Sequence, residues 1–335
     1  MNKKESSSEE LFNKYIKISN WIIALGIMSV IFALVIFLVK VGPINFNSNI
    51  NLSAFSSFGS FLSGTSGVLF SLGTIFIVLA SYNRQLVYQK KQDIANHKSE
   101  IESRFFNLLN IQRSNSQSMF NSEYEGRNIF FHLHQELLKS LAIISSSNSF
   151  LEKEGYSEKE KISLAVLCFY YGAVGSNSTS ILEKQQIKSY QKVETEILPK
   201  FRNWKNNNPL FFNGNQTRLG HYYRHLYQTV KFIDNLDSNI FSYREKYKYI
   251  KIIRAQLTTQ EQVLIAYNSL SKLGNTWEPR IPNEHNKDLI TKYNLIKNIP
   301  KGFSGSFEVR DFYPDINYEE ESKTDKRKEL EESYK

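Results

Sequence analysis

The chain of 335 residues contains one cysteine, Cys168. No intrachain disulfide can form, and no thiolate cluster can hold a metal. Cys168 reads as a buried free thiol, which suits a body facing a reducing cytoplasm. Strand patterns are nearly absent. Only GSFEVRDF, from Gly305 to Phe312, alternates well enough for a short strand. The P-loop, HExxH, GxSxG and paired-cysteine patterns are missing as well, so the commonest hydrolase signatures are excluded and no cofactor is expected. What is abundant is positive charge. The formal net charge is +9 and the isoelectric point about 9.2. That balance suits a membrane surface or nucleic acid without selecting either.

Charge is itself missing from two stretches, which the mean hydropathy of -0.40 conceals. WIIALGIMSVIFALVIFLVKV runs from Trp21 to Val41 with Lys40 as its only charge. SFGSFLSGTSGVLFSLGTIFIVLASY runs from Ser57 to Tyr82 with none. A helix of roughly 20 residues covers the ~30 Å hydrocarbon core of a bilayer. Trp21 suits one interface, and Lys40 can snorkel to the other. In the second stretch Gly59, Ser60, Ser63, Gly64, Gly67 and Ser71 gather on one side of a helical wheel. Gly59, Ser63, Gly67 and Ser71 recur every fourth residue, the spacing that lets backbones approach closely. This row is expected to pack on the first span, on another copy of the chain, or on both. The first span is longer than a signal-peptide core and no small-residue cleavage pattern follows it, so a hairpin is expected instead. The connection from Gly42 to Ser56 has no Lys or Arg, whereas Lys3, Lys4, Lys14 and Lys17 precede the hairpin and Arg84, Lys90, Lys91 and Lys98 follow it. The positive-inside rule therefore puts both termini in the cytoplasm.

Beyond Tyr82 the pattern stays helical. The whole reads as a mainly α fold: a cytoplasmic N-terminal segment (1–18), a transmembrane hairpin (19–82, with spans at about 21–41 and 57–82), a helical stalk (83–120), a bundle-like all-α cytosolic domain (121–317) and a charged tail (318–335) expected to be disordered or a solvated helix. Ser7 with Glu10 has capping-box spacing for a short helix leading into the membrane. Ile101, Phe105, Leu108 and Leu109 give the stalk an apolar stripe, making it a mechanical link. Helices are expected over Asn128–Ser145, after a capping box at Ser157 and Glu160, over Ile181–Trp204 with a break at Pro199, over Tyr243–Leu257, and from a second capping box at Thr258 and Glu261 to a stop at Gly274.

The richest stretch is GNQTRLGHYYRHLYQTVKFID, Gly214 to Asp234. On a helix, Leu219, Tyr223, Leu226, Val230 and Ile233 form one face. His221 and His225 fall nearly opposite, beside Arg218 and Phe232. The two histidines have zinc-helix spacing, but the HExxH glutamate is absent and Arg224 would repel a cation, so no metal is expected. Arg218 followed by His225 resembles the Arg–His pair of HEPN-type RNases, in which His shuttles a proton and Arg stabilises a phosphorane. Arg127 and His132 fit the same loose pattern. The reading preferred from the residues alone is structural: Arg and His cross-link buried carbonyls or the carboxylates of neighbouring helices, such as Asp234 or Glu261. Recognition of a ligand or partner stays open beside it.

LGHYYRHLYQTVKFID, followed by YKYIKIIRAQLTTQEQVLIAYNSLSKLG, resembles the AbiC-type phage abortive infection proteins. GSFLSGTSGVLFSL and ESRFFNLLNIQ are similar to that family's glycine-rich second span and the segment after it. The resemblance implies a two-span hairpin in the bacterial inner (cytoplasmic) membrane, a cytosolic helical domain and antiphage defence by abortive infection. It marks Leu219, Gly220, His221, Tyr222, Arg224, His225, Tyr227, Arg254 and Gln256 as motif and possible recognition residues. Ser60 and Val68 stand where related spans carry Asp and Asn. Similar two-span proteins also accompany retron reverse transcriptases as toxic effectors. The partners expected are membrane lipid, further copies of the chain, and a phage-derived trigger or retron-type partner, with nucleic acid a further option. The leading expectation is an effector that oligomerises and disrupts the membrane. A membrane-anchored HEPN-like RNase and a membrane-tethered sensor that recruits another effector are the alternatives.

Overall fold

The computed structural model describes residues 3–41, 52–278 and 288–334. The chain divides into two compact units, Met1–Glu102 and Ser103–Lys335. The boundary falls inside the segment expected as a stalk. Residues 42–51, most of the connection whose lack of charge set the expected topology, lie outside the described residues.

The first unit is a helical hairpin. α1 runs Lys3–Val41, so Ser7 lies inside the helix rather than at its start. α2, Leu52–Leu62, passes through a π-helical turn at Ser63–Gly67 into α3, Val68–Gln117. α3 passes Tyr82 without a break, as expected from good helix formers without Gly or Pro. The α1 and α3 arms are antiparallel. Towards the end of α1 and the start of α2, Phe37 sits 4.6 Å from Phe58 between ring centroids. In its middle Ser66 meets Ser29 at 2.7 Å. Ser29 gives its proton to the Gly26 carbonyl, so Ser66 donates to Ser29. Further along, Ser19 donates to the Gly73 carbonyl at 2.9 Å, and Tyr15 lies 6.2 Å from Phe76.

The face turned to α1 is thus Phe58, Ser66, Phe70, Gly73 and Phe76. It is not the small-residue row expected to pack. A Cβ added at Gly59 or Gly67 would meet nothing within 4 Å, whereas at Gly73 it would lie 2.8 Å from Ile23 Cγ1. Ser63 and Ser71 are exposed. The physical reason lies in the π-helical turn. Its wider winding shifts the phase of α3, so that Ser66, Phe70 and Gly73 face α1 and the small-residue row does not. Large apolar side chains on the remaining surface stay uncovered, including Met28, Phe32, Val39, Val68 and Val78.

The second unit is built from the end of α3 with α4 (Ile129–Ser145), α5 (Asn148–Lys153), α6 (Glu158–Tyr171), α7 (Ser176–Glu183), α8 (Tyr190–Glu196), α9 (Leu198–Asn207), α10 (Gln216–Asp234), α11 (Tyr243–Gln256), α12 (Thr259–Leu270), α13 (Leu289–Tyr293), α14 (Val309–Phe312) and α15 (Asp325–Ser333). α6 is its centre, packed on α4, α7, α10 and α12. Ile162 to Phe169 are all buried, which is why the segment shows no amphipathic stripe. Cys168 lies in that run, fully enclosed, and burial pushes its thiol up to about 12. The capping boxes expected at Ser157 and Thr258 are present, and Ser242 with Glu245 forms one that was not expected.

Several expectations need correction. Gly305–Phe312 is not a strand; no strand occurs among the described residues. Its second half is α14, and Tyr267 holds the turn by donating to the Ser304 and Phe307 carbonyls. The alternation there comes from the side chains that the turns bury. Ile181–Trp204 is not one helix broken at Pro199 but three short ones. Pro199 stands in the first turn of α9, where its missing N–H costs nothing. α12 stops at Leu270 rather than Gly274; Gly274 instead lies against Asn268, where a Cβ would clash. The charged tail carries α15, and Arg327 on it is buried rather than solvated. Its guanidinium donates to the carbonyls of Thr291, Lys292 and Asp315, closing the end of α13.

Candidate functional site

α10 is positioned by a buried glutamate that its own sequence does not contain. Glu136, on α4, accepts from the Phe212 N–H at 2.6 Å and from the Asn215 side-chain amide at 3.1 Å. Asn215, just before α10, also bonds the Tyr170 carbonyl through its N–H and the Phe169 carbonyl through its amide. The loop before α10 is therefore clamped against the end of α6. The approach is so close that a Cβ at Gly214 would lie 2.7 Å from the Tyr171 carbonyl oxygen, and Gly214 has φ +91. Only glycine fits both conditions. Phe212 is held at φ +60 by the same clamp. Burial pushes the Glu136 carboxyl up to about 7, against the pull of Asn215, Phe212, Arg218 and Lys205. His132 Nε2 stands 3.8 Å from that carboxyl, with its ring stacked on Tyr124. Burial lowers its pKa, assisted by Arg218 and opposed by Glu123.

Leu219, Tyr223, Leu226, Val230 and Ile233 are all buried, as the wheel requires. A second row faces polar partners. The Tyr222 hydroxyl donates to Glu261 at 2.8 Å. His225 Nδ1 meets the Gln112 side-chain oxygen at 2.8 Å. An amide oxygen only accepts, so Nδ1 carries the proton and Nε2 is the bare nitrogen. Nε2 is buried and has no hydrogen-bond partner among the described residues, and burial lowers the ring's pKa. Arg218 donates to the Phe120 carbonyl at 2.9 Å and to the Asn215 side-chain oxygen at 3.3 Å. Between Asn115–Phe120 and Thr217–Tyr222 lies a pocket of about 390 Å³. Arg218 and His221 line it, but His225 does not.

The remaining motif residues separate. His221 and Arg224 are exposed, with Arg224 donating to the Gly220 carbonyl. Gly220 lets α10 approach α6, since a Cβ there would lie 3.0 Å from the Tyr170 hydroxyl. Tyr227 sits edge-on to Trp277 at 5.1 Å. Arg254 is buried and donates to the Asn294 carbonyl at 2.9 Å. The Gln256 carbonyl accepts from Arg127 at 2.6 Å. Arg218, Arg224 and Arg254 do bond carbonyls; of the two carboxylates, Glu261 takes Tyr222, and Asp234 has Lys292 and the Tyr293 hydroxyl among its partners. Among the described residues no three His, Cys, Asp or Glu side chains group in a way that could hold a metal ion. Sequence reasoning missed Glu136, Gln112 and Asn215. The one available signal for Glu136 was an acidic residue inside the apolar pattern HLHQELL.

This clamped block, α10 to α13 and the turn after it, coincides with a known domain. Residues 214–304 match the family model described as putative phage abortive infection protein. The match begins at the clamped Gly214 and ends at Ser304, whose carbonyl Tyr267 holds. It supports the AbiC-type family and a role in phage defence. The hairpin and the ESRFFNLLNIQ segment lie outside the matched residues. No curated protein and no solved structure matches the chain.

Proposed function

We propose that the chain is an abortive infection effector that acts on the bacterial inner membrane. One observation carries the reading: a chain with an abortive infection block also bears a hairpin whose apolar surface and small-residue row are left uncovered. Two of its helices are long and apolar enough to cross a membrane. Covering such a surface with lipid is the physical solution for a hairpin of this length. In this reading both termini are cytoplasmic, and an infection-derived trigger biases the second unit between two states. α3 carries that bias into the hairpin. Copies then associate through Gly59, Ser63, Gly67 and Ser71, and the membrane leaks.

A membrane-potential dye followed during phage challenge tests the act itself. Potential should collapse before lysis in cells carrying the chain; potential that stays intact until lysis refutes the reading. Topology is tested separately in a Cys168→Ala background. Cysteine at Asn49 should react with an impermeant thiol reagent from outside, and cysteine at Asn96 should not; the reverse pattern overturns the orientation.

The RNase reading keeps one supporting feature, the bare Nε2 of His225. Against it, Arg218 is engaged by the Phe120 carbonyl and Asn215, and Arg127 by the Gln256 carbonyl. RNA cleavage by the wild type that disappears in folded Arg218→Ala and His225→Ala variants would restore it.

A further inference from the structure

The hairpin has one charge that its own residues do not balance. From Ile18 to Asn83 the only Asp, Glu, Lys or Arg is Lys40. It lies at the rim of a cleft of about 300 Å³ between the last turns of α1 and the start of α2. Ala33, Phe37 and Lys40 form one wall, with Ala54, Phe58 and Phe61 opposite. Small residues on each helix leave room that the phenylalanines do not fill. Phe37 cannot swing in freely, because Phe55 and Phe58 hold its ring at 5.1 and 4.6 Å. Apart from Ser57, the cleft offers a ligand only hydrocarbon and, at its mouth, an ammonium group.

We propose that this cleft is a site for an anionic phospholipid, with one acyl chain lying between Phe37, Phe58 and Phe61 and the headgroup phosphate on Lys40. The proposal rests on the membrane reading above. Two features of the cleft select this ligand. Its walls are apolar and lie within the segments long enough to span a bilayer, so the occupant must bring a hydrocarbon chain. Its one charged lining residue is a cation, and residues 18–83 hold no Asp or Glu, so the occupant must bring the counter-charge. A zwitterionic lipid fills the cleft but carries its own cation beside the phosphate. The Lys40 ammonium then separates the two by the roughly 1 kcal/mol that a basic residue at a lipid surface contributes, about a fivefold preference.

The test uses the full chain in lipid nanodiscs and quenching by brominated lipids. Wild-type Trp21, exposed at the other end of the span, reports whether the hairpin lies in the bilayer at all. Phe61→Trp in a Trp21→Phe background, measured against Trp21→Phe alone, reports on the cleft. Brominated phosphatidylglycerol in a phosphatidylcholine host should quench the cleft tryptophan at about a fivefold lower mole fraction than the inverse mixture. Lys40→Gln should remove that preference and leave quenching by either lipid in place. Four results overturn the proposal. Equal quenching by both lipids with Lys40 present means that the charge selects nothing. A preference erased by inorganic phosphate means that Lys40 takes a free anion. A cleft tryptophan that neither lipid quenches, while Trp21 is quenched, means that protein fills the cleft. An unquenched Trp21 removes the membrane reading and the lipid site together.

Discussion

Two glycines six residues apart, Gly67 and Gly73, should respond in opposite ways to the same change. A Cβ at Gly73 would stand 2.8 Å from Ile23 Cγ1 and 3.7 Å from the Ser19 carbonyl oxygen, which already accepts the helix's own bonds. Gly73→Leu therefore forces the two arms apart inside one chain. It also disturbs the Ser19 hydroxyl that donates to the Gly73 carbonyl. Overpacking of this kind costs about 1–3 kcal/mol. At Gly67 a Cβ meets nothing within 4 Å, so Gly67→Leu leaves the isolated hairpin intact. If copies meet through that face, the same 1–3 kcal/mol falls on association instead, weakening it about 5- to 150-fold. Leucine is at home in lipid, so expression and membrane location should be unchanged. The assay is energy transfer between labelled chains diluted in vesicles, paired with plating efficiency of phage. Gly67→Leu should lose both association and protection. Gly73→Leu should instead lower the thermal stability of the hairpin. A Gly67→Leu chain that associates and protects like the wild type refutes assembly through this face, and the hairpin is then only a tether.

Three further changes probe the second unit. Glu136→Ala leaves the Phe212 N–H buried without an acceptor and the Asn215 amide with the Phe169 carbonyl alone, which should cost about 1–3 kcal/mol and show as a lower melting temperature. The same carboxyl gives a pH dependence of known sign. Its folded pKa is raised to about 7 from 4.5, so the folded state binds the extra proton. That relative stability is present below pH 4.5 and is lost as pH rises through about 7, by up to ~3 kcal/mol. His132 and His225, both lowered by burial, act in the other sense, losing stability as pH falls below 6.5. The Glu136 contribution is therefore read as the difference in melting profile between wild type and Glu136→Gln; identical profiles refute it. Thr258→Ala removes the acceptor for the Glu261 N–H and should cost about 1 kcal/mol in denaturant unfolding. Arg327→Ala strips the donors from three carbonyls around α13 and should cost about 3 kcal/mol, with the tail becoming the first site of limited proteolysis. Unchanged proteolysis would mean that α15 is held by other contacts.

The parts of the fold legible in the sequence are those fixed by local chemistry. Capping boxes at Ser157 and Thr258 satisfy backbone donors within four residues, so three letters suffice to place a helix start. The amphipathic stripe of α10 was equally plain, because each member sees the same core. Errors arose where a local rule met a tertiary or helical irregularity. Pro199 reads as a breaker inside a helical pattern, yet a first-turn proline starts a helix as readily as an interior one ends it. The π-helical turn at Ser63–Gly67 leaves no mark in composition, yet it rotates every later side chain relative to the earlier ones. The face that α3 turns to α1 is therefore not the small-residue row, and of the two packings expected for that row the one between copies stays open.

The candidate site shows the same division at longer range. Arg218 and His225 attracted notice because their spacing resembles a catalytic pair, but what each does depends on residues about a hundred positions away. Arg218 is defined by the Phe120 carbonyl, 98 residues earlier, and His225 by Gln112, 113 residues earlier. A backbone carbonyl has no letter of its own, and Gln112 sits in a helix among residues of similar polarity. Glu136 is the sharper case. Its role is to hold Phe212 and Asn215, which in turn set the angle at which α10 leaves the core. Nothing within α10 records that dependence. Yet an ionisable residue in HLHQELL, otherwise an apolar helix pattern, is the kind of inconsistency that burial must resolve through specific donors. The residues that match the family model begin inside that clamp, at Gly214. The block thus starts at a fixed point of the core, and its motif residues fan out from there to carbonyls, an aromatic pair and a pocket. The letters marked a structural junction, and the chemistry of that junction lay in its distant partners.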